Sequence, residues 1–271
     1  NCRTFLCVSF SAMDINLESA ANLIAEIITG SKFDDQCMIH ELLRQAIVWM
    51  EQNIIDSGSG YAMTRIAAGH SAQGVVRECT GGFTYFQRLK TLEKNFQRYA
   101  AEFSRELAAL SKEIFAKNRL TISITGTNDN AEAILENAVI CVLPVSRQKE
   151  TVCSIRPWSK RREGIVIPAD VSFTAMGGNL LQYGGAYNGS LQVLSRIVSL
   201  SYLWNVIRVQ GGAYGRGLSL SNSGNACFYS YRDPTAARSL NAYRQTEGFI
   251  KQFCGTKPDL TRFIVGTVAE M

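Results

Sequence analysis

Along this chain apolar residues return every three or four positions far more often than every second one, a pattern that predicts a fold rich in helices. The firmest stretch is Phe96, Tyr99, Phe103, Leu107, Leu110 and Ile114, five turns with a single apolar face. Leu43, Ala46, Ile47, Met50 and Ile54 predict a helix over 36–55, broken by Ser57-Gly58-Ser59-Gly60 before a second helix over 61–73. Asn16 reads as the N-cap of a helix running to Ile28, and 130–138 looks helical again. In the second half Val193, Ile197, Leu200, Trp204 and Ile207 mark an amphipathic helix that delivers Arg208 at its end. Asp233-Pro234 supplies an N-cap and a first-turn proline for a helix reaching about Phe253. Strands are predicted over 3–11, 120–125 and 225–231, and where Val171, Phe173 and Ala175 alternate with Ser172 and Thr174. Strand and helix alternate in both halves with helices in excess, which points to α+β domains whose helices pack on a sheet face.

The stretch SRQKETVCSIRPWSKRREG, 146–164, is polar and basic with no sustained period, the character of a connection. It divides the chain into a domain over 1–150, a linker over 151–164 and a domain over 165–271. At 271 residues there is ample chain for a buried core, and 46% hydrophobic against 19% charged residues excludes disorder as the main state. No apolar run approaches the roughly 18 to 20 residues that a membrane-spanning helix needs. The formal charge of +5 is small and dispersed, so it is no nucleic-acid footprint. Eight scattered cysteines without a C-x-x-C pair read as free thiols in a reducing compartment. A start at Asn1 and a stop at Met271 directly after a helical-looking apolar run suggest a piece of something longer.

Candidate chemistry narrows quickly. The only histidines, His40 and His70, stand thirty residues apart, so neither H-E-x-x-H nor H-x-x-E-H occurs. Cys37 and His40 lie one helical turn apart without a second ligand pair, and His40 is expected as a solvated surface residue. Gly69-His70-Ser71-Ala72-Gln73-Gly74 misses the G-x-S-x-G nucleophile elbow, no P-loop is present, and Leu220 stands where a third glycine after Gly215 and Gly217 would be needed. Lys160-Arg161-Arg162 is expected as a solvated linker. What remains is Arg208-Val-Gln-Gly211-Gly212-Ala-Tyr214-Gly215 at a helix end, where an arginine and a tyrosine project into one cleft and a double glycine permits close backbone approach. A glycine C-cap with a packed tyrosine is the alternative there, and GGAY occurs a second time at Gly184–Tyr187.

The run from Tyr202 to Arg216 (YLWNVIRVQGGAYGR) and the run from Phe228 to Pro234 (FYSYRDP) resemble the pitrilysin and insulysin type metallopeptidases, in the presequence-protease branch. Asn188-Gly189-Ser190, the closing IVGTVAE, and in the first half MEQNIIDSGSGYAMTRIAA and LTISITG look like the same branch in the same order. The resemblance implies two pitrilysin-like α+β domains, the third and the first part of the fourth of a four-domain clamshell, with a mainly antiparallel sheet and an incomplete last domain. It implies zinc as the cofactor of the intact enzyme, bound by the N-terminal half on H-x-x-E-H, and no metal ligand here. By position it makes Tyr214 the catalytic donor to the developing oxyanion and Arg208, with Gly211 and Gly212, the substrate-binding residues. Implied partners are unstructured peptide substrates and the N-terminal half of the same polypeptide, with no nucleic acid and no membrane. The implied place is a reducing compartment, cytoplasmic in a bacterium and the mitochondrial matrix in a eukaryote. The fragment alone is expected to be inert. Because some halves of this family keep the fold and lose catalysis, a non-catalytic partner or assembly subunit is the alternative.

Overall fold

The computed structural model describes residues 4–135, 143–146, 153–159 and 162–270. The chain divides into two compact units: Asn1–Gln45 with Thr91–Cys153, and Ala46–Lys90 with Ser154–Met271. Packing therefore groups the segment from Ala46 to Lys90 with the C-terminal residues, where the sequence boundary at 151–164 places it in the first domain.

The first unit contains α1 (Leu17–Gly30), the opening turns of α2 (Gln36–Ala68), the end of α4 (Phe83–Lys94), α5 (Phe96–Ile114) and α6 (Asn128–Leu135). The bounds of α5 are those its six apolar positions predict, with Phe96 and Ala100 buried. Asn16 precedes α1 as expected, although its side chain makes no capping hydrogen bond. The helix expected over 130–138 is present as Asn128–Leu135, and 136–138 lie outside the described residues. Two expectations fail here. Residues 4–11 and 120–125 are not strands, and Phe5, Leu6, Val8 and Phe10 stand exposed. A β-rich composition needs a neighbouring ladder to satisfy its backbone, and none meets these segments among the described residues. His40 is not a solvated surface residue either: its side chain is 18% exposed, stacked 4.3 Å from the ring of Phe96 and 3.5 Å from the Glu93 carboxylate.

The second unit begins along α2. The Ser57–Gly60 cluster kinks this helix at Ser57 (φ −136°, ψ 34°) instead of ending it, and the ring of Phe173 occupies the space beside Gly58 that a Cβ would need. A turn at 69–71 leads into α3 (Ala72–Gly81), where Ser71 is the N-cap and accepts from Gly74 N–H. The near-elbow serine is thus a structural cap. Buried Glu78 accepts from Arg65 (3.2 Å) and from the backbone N–H of Thr84 (2.8 Å), while Arg65 also grips Glu163 at 2.8 Å and 3.0 Å. Its hydrogen bond to Glu163 first, then both neighbouring carboxylates, hold the Arg65 guanidinium above its usual pKa against the opposing effect of burial. Trp158 N–H donates to the Ala68 carbonyl at 2.8 Å, and the Trp158 ring lies 5.2 Å from the Arg65 guanidinium. The described part of the expected linker is irregular yet fastened. Lys160 and Arg161 of the basic run lie outside the described residues.

A three-stranded antiparallel sheet follows, in the order β1 (Ser172–Asn179), β3 (Asn225–Asp233), β2 (Gly215–Leu220). With the helices this gives the α+β architecture that the pattern predicts. The inward face of β1 is not Val171, Phe173 and Ala175 alone: Thr174 is buried and bonded to Ser230 (2.6 Å) and the Tyr243 hydroxyl (2.9 Å), and Met176 joins the core. Phe173 is half-buried on Tyr231, ring centroids 5.4 Å apart. Helix α7 (Ser190–Ile197) passes unbroken into a π-helical stretch, Val198–Val209, whose end shows the i→i+5 bond from Gln210 N–H to the Asn205 carbonyl (3.0 Å). The wider turn shifts the buried stripe to Val198, Leu203 and Ile207 and leaves Leu200 and Trp204, expected inside, 46% and 39% exposed. These residues meet Leu218 and Leu220 of β2 and Ala242 and Tyr243 of α8 (Ala236–Gly255) in one core cluster. Thr235, not Asp233, precedes the first turn of α8, with Asp233 accepting from Thr235 N–H at 2.8 Å. The chain closes with α9 (Thr261–Ala269).

The described cysteines Cys7, Cys37, Cys79, Cys153, Cys227 and Cys254 are free thiols. Burial pushes the Cys227 thiol from 9.0 up to about 12 and the Tyr243 hydroxyl from 10.0 up to about 12, in the latter case against hydrogen bonds that favour ionisation. Both groups hold their protons more tightly folded than unfolded, so their contribution is complete below the unfolded values and is lost as pH rises toward about 12. Urea midpoints are therefore expected to fall steadily above pH 9.0, and Cys227→Ala to flatten the decline between 9.0 and 10.0. A midpoint independent of pH across that range would contradict the burial of these groups.

Candidate functional site

The candidate residues sit where the long helix ends against β2, and polar side chains fix that junction. Three residues on the helix, Gln192, Ser195 and Ser199, bond the outer edge of β2: Gln192 donates to the Leu220 carbonyl (2.6 Å), Ser195 to the Leu218 carbonyl, and Ser199 accepts from Leu218 N–H (3.1 Å). An edge strand that would otherwise present unpaired groups is thereby locked to the helix that carries Arg208. At the start of the helix Asn188 accepts from Ser190 N–H (3.0 Å), which accounts for the Asn188-Gly189-Ser190 signature in local terms.

The helix terminates on its double glycine. Gly212 takes the left-handed conformation (φ +80°), and the Ala213 N–H turns back to the Ile207 carbonyl (3.1 Å) while the Gly212 N–H bonds the Arg208 carbonyl (3.0 Å). Gly211 is buried, and a Cβ there would come within 2.5 Å of the Ile207 carbonyl oxygen. Thr235 donates to the Gly211 carbonyl (3.0 Å), and Arg238 takes both the backbone and side-chain oxygens of Gln210 (3.1 Å and 2.8 Å). Every carbonyl from Ile207 to Gly211 except that of Val209 thus has a named partner. Gly211→Ala is expected to lower stability by about 1–3 kcal/mol, the usual cost of forcing a side chain into packed backbone, read as a shift in urea midpoint. An unchanged midpoint would mean that the helix end is looser than this geometry. The second GGAY is likewise a C-cap, since Gly184 is left-handed (φ +76°) after a 3-10 turn over Leu180–Tyr183.

This construction brings together two of the sequence-predicted residues as exposed side chains. The Arg208 guanidinium carbon lies 5.4 Å from the Tyr214 ring centroid, and Tyr214 is 66% exposed. Gly212 is exposed beside them, whereas Gly211 is inside. Tyr214 is anchored by its N–H to the Arg232 carbonyl (3.3 Å) and by its ring, edge-on to Tyr231 at 6.0 Å. Arg232 itself has φ +47°, an uncommon conformation for a side-chain-bearing residue, and its guanidinium stands 5.5 Å from the Tyr231 ring. A phenol O–H and a guanidinium facing outward from one rigid helix end can donate hydrogen bonds to a carbonyl oxygen or to an oxyanion.

Four further residues belong to this cluster and are not singled out by sequence: Trp204, Arg216, Tyr231 and Arg232. The Trp204 ring lies 4.4 Å from the Arg208 guanidinium and 4.6 Å from that of Arg216. Burial first, and the positive charge of Arg208 in addition, lower the Arg216 pKa, while Tyr229 opposes the shift. Trp204 precedes Arg208 by one turn, so helical spacing alone signals that contact. The others depend on strand register, with Gly215 opposite Tyr231 and Arg216 opposite Ser230.

Among the described residues no group of three or more His, Cys, Asp or Glu side chains is placed to hold a metal ion. The donors present do not fit a zinc site, and no step below is routed through one. No helix among the described residues is long and apolar enough to cross a membrane.

Comparison with known proteins adds two family matches: residues 1–92 match the peptidase-associated family model of the pitrilysin-type metallopeptidases, subfamily C, and residues 162–271 match the model "PreP C-terminal domain". Among curated relatives, Protein HypA of Clostridium perfringens is 29% identical over 269 residues, 98% of this chain and 27% of that protein. Presequence protease 1, chloroplastic/mitochondrial, of Arabidopsis thaliana is 29% identical over 253 residues, 92% of this chain and 23% of its own length. The mitochondrial presequence protease of Drosophila melanogaster is 24% identical over 246 residues, 90% and 24% respectively. The chain thus spans about a quarter of the length of these relatives.

Proposed function

Because this chain belongs to the pitrilysin-type peptidase family, as a C-terminal region of the presequence-protease branch, we propose that it supplies the substrate grip and the carbonyl-stabilising donor of a peptide-degrading metalloendopeptidase. The observation that carries this reading is the outward-facing pair Arg208 and Tyr214, 5.4 Å apart on a helix end whose geometry is over-determined. Tyr214 is the hydrogen-bond donor to the oxyanion that develops when a peptide carbonyl is attacked. Arg208 holds the substrate backbone through carbonyl oxygens on either side. Exposed Gly212 lets an extended peptide lie close to the chain, and buried Gly211 sets the height of that surface.

Zinc belongs, on this reading, to the intact enzyme and is held outside this chain. The two-domain division at 151–164 is part of the same proposal, supported by family models that end at 92 and begin at 162. A site shared between two parts of one polypeptide makes closure a condition of catalysis and limits substrates to unstructured peptides that fit the enclosed space. The free thiols support a reducing compartment, such as the organelles named for the plant and fly relatives.

The test uses the full-length polypeptide, a flexible peptide of roughly 20 to 30 residues, sized for an enclosed chamber, and a folded protein containing the same cleavage sequence. Cleavage of the peptide alone, abolished by a chelator and restored by zinc, is expected, with this chain by itself inactive. Absence of cleavage for every peptide tried would favour the non-catalytic partner subunit instead.

A further inference from the structure

The guanidinium groups of Arg208 and Arg216 share one indole, at 4.4 Å and 4.6 Å from the centroid of Trp204, so their separation cannot exceed the sum of those distances. Elsewhere in this unit an arginine near the surface finds an oxygen: Arg65 has Glu163 and Glu78, Arg196 has Glu270, and Arg238 has Gln210. Neither Arg208 nor Arg216 has a carboxylate or a hydrogen-bond acceptor among the described residues, and the Nε of Arg216 is buried without a partner. Two like charges this close, one of them half-buried and with a fixed donor unmet, raise the energy of the empty site and lower it when an anion arrives. Arg232, near Tyr231 at 5.5 Å, adds to the positive potential of the same surface.

The site is also built to hold its shape. Arg216 lies on β2, opposite Ser230 of β3, and the far edge of that strand is bonded to Ser195 and Ser199. Cation–π contact with Trp204 fixes the plane of both guanidiniums without using their N–H donors, which leaves those donors for a ligand. A planar, forked acceptor satisfies two such donors at once, and a carboxylate has that shape. We propose that Arg208 and Arg216 form a subsite for a carboxylate carried by the bound peptide, so that the enzyme prefers peptides presenting an acidic group beside the Tyr214 position. This inference rests on the peptidase reading for the nature of the ligand, while the anion site itself stands on the arginine pair.

Direct binding to the full-length polypeptide, followed by calorimetry or Trp204 fluorescence without reference to cleavage, tests it. Three peptides are compared, identical except for one interior Glu, the same position as Gln, and the Gln peptide with an amidated C-terminus. The Glu peptide is expected to bind about ten-fold tighter than the Gln peptide, the size of one charge-assisted pair, with the advantage shrinking as salt rises. A difference seen only between the acid and amide ends assigns the site to the terminal carboxylate instead of a side chain. Either preference must vanish in Arg216→Gln and be partly restored in Arg216→Lys, which keeps the charge but loses the fork. Equal binding of all three peptides to the wild type, or a preference that survives Arg216→Gln, overturns the proposal. Carboxylate-dependent binding without cleavage of any peptide would leave the subsite standing and remove the peptidase reading.

Discussion

Leu203→Ala is expected to cost about 3–5 kcal/mol of stability, the upper range for a leucine truncated in a packed interior. Leu203 is fully buried where the π-helical stretch, β2 and α8 converge, and Val198 and Ile207 on either side of it are equally inaccessible. The helix is held to β2 by polar bonds at Gln192, Ser195 and Ser199, so it cannot slide inward to fill the space that the truncation leaves. Such a cavity keeps most of its volume, which is the condition for the larger penalties. Arg208 lies little more than one turn beyond Leu203, so the site is expected to loosen with the core. Chemical denaturation of the variant against wild type measures the effect, and a change below about 1 kcal/mol would show that this junction is not packed as described.

Tyr214→Phe is the opposite kind of change. The ring contacts of Tyr214, edge-on to Tyr231 and facing the Arg208 guanidinium, are made by the aromatic face, which phenylalanine retains. Its backbone anchor to the Arg232 carbonyl is untouched. Only the hydroxyl is lost, and with two-thirds of the side chain exposed the hydroxyl has no core to disturb. Stability is therefore expected to change by less than about 0.5 kcal/mol, as for surface substitutions generally. The effect falls on the reaction: losing one donor to a developing oxyanion lowers kcat by a factor on the order of 100, with little change in KM, because the bond strengthens only as charge accumulates.

The parts of this molecule that were legible in the sequence are those fixed by local chemistry. Helix Phe96–Ile114 follows from its own apolar stripe. Arg208 and Tyr214 could be placed together because a helix end and a left-handed glycine determine where the next few residues go. The segments 4–11 and 120–125 carry strand-like letters, but a strand exists only with a partner, which propensity does not supply. Ser57–Gly60 has the composition of a break, yet α2 continues with a kink there, at the place where Phe173 packs beside Gly58. The π-helical stretch changed the phase of a regular-looking stripe, exposing Leu200 and Trp204. That exposure is what makes Trp204 available to two arginines, and Arg216 reaches it only through a register between β2 and β3 that no local pattern encodes.

The pitrilysin-type assignment of roles turns on one hydroxyl. Steady-state cleavage of a single flexible peptide by the full-length polypeptide, wild type against Tyr214→Phe under identical metal loading, measures kcat and KM together. The expected result is a fall in kcat on the order of 100-fold with KM unchanged within about three-fold. A variant that turns over at the wild-type kcat would contradict the placement of Tyr214 at the reacting carbonyl.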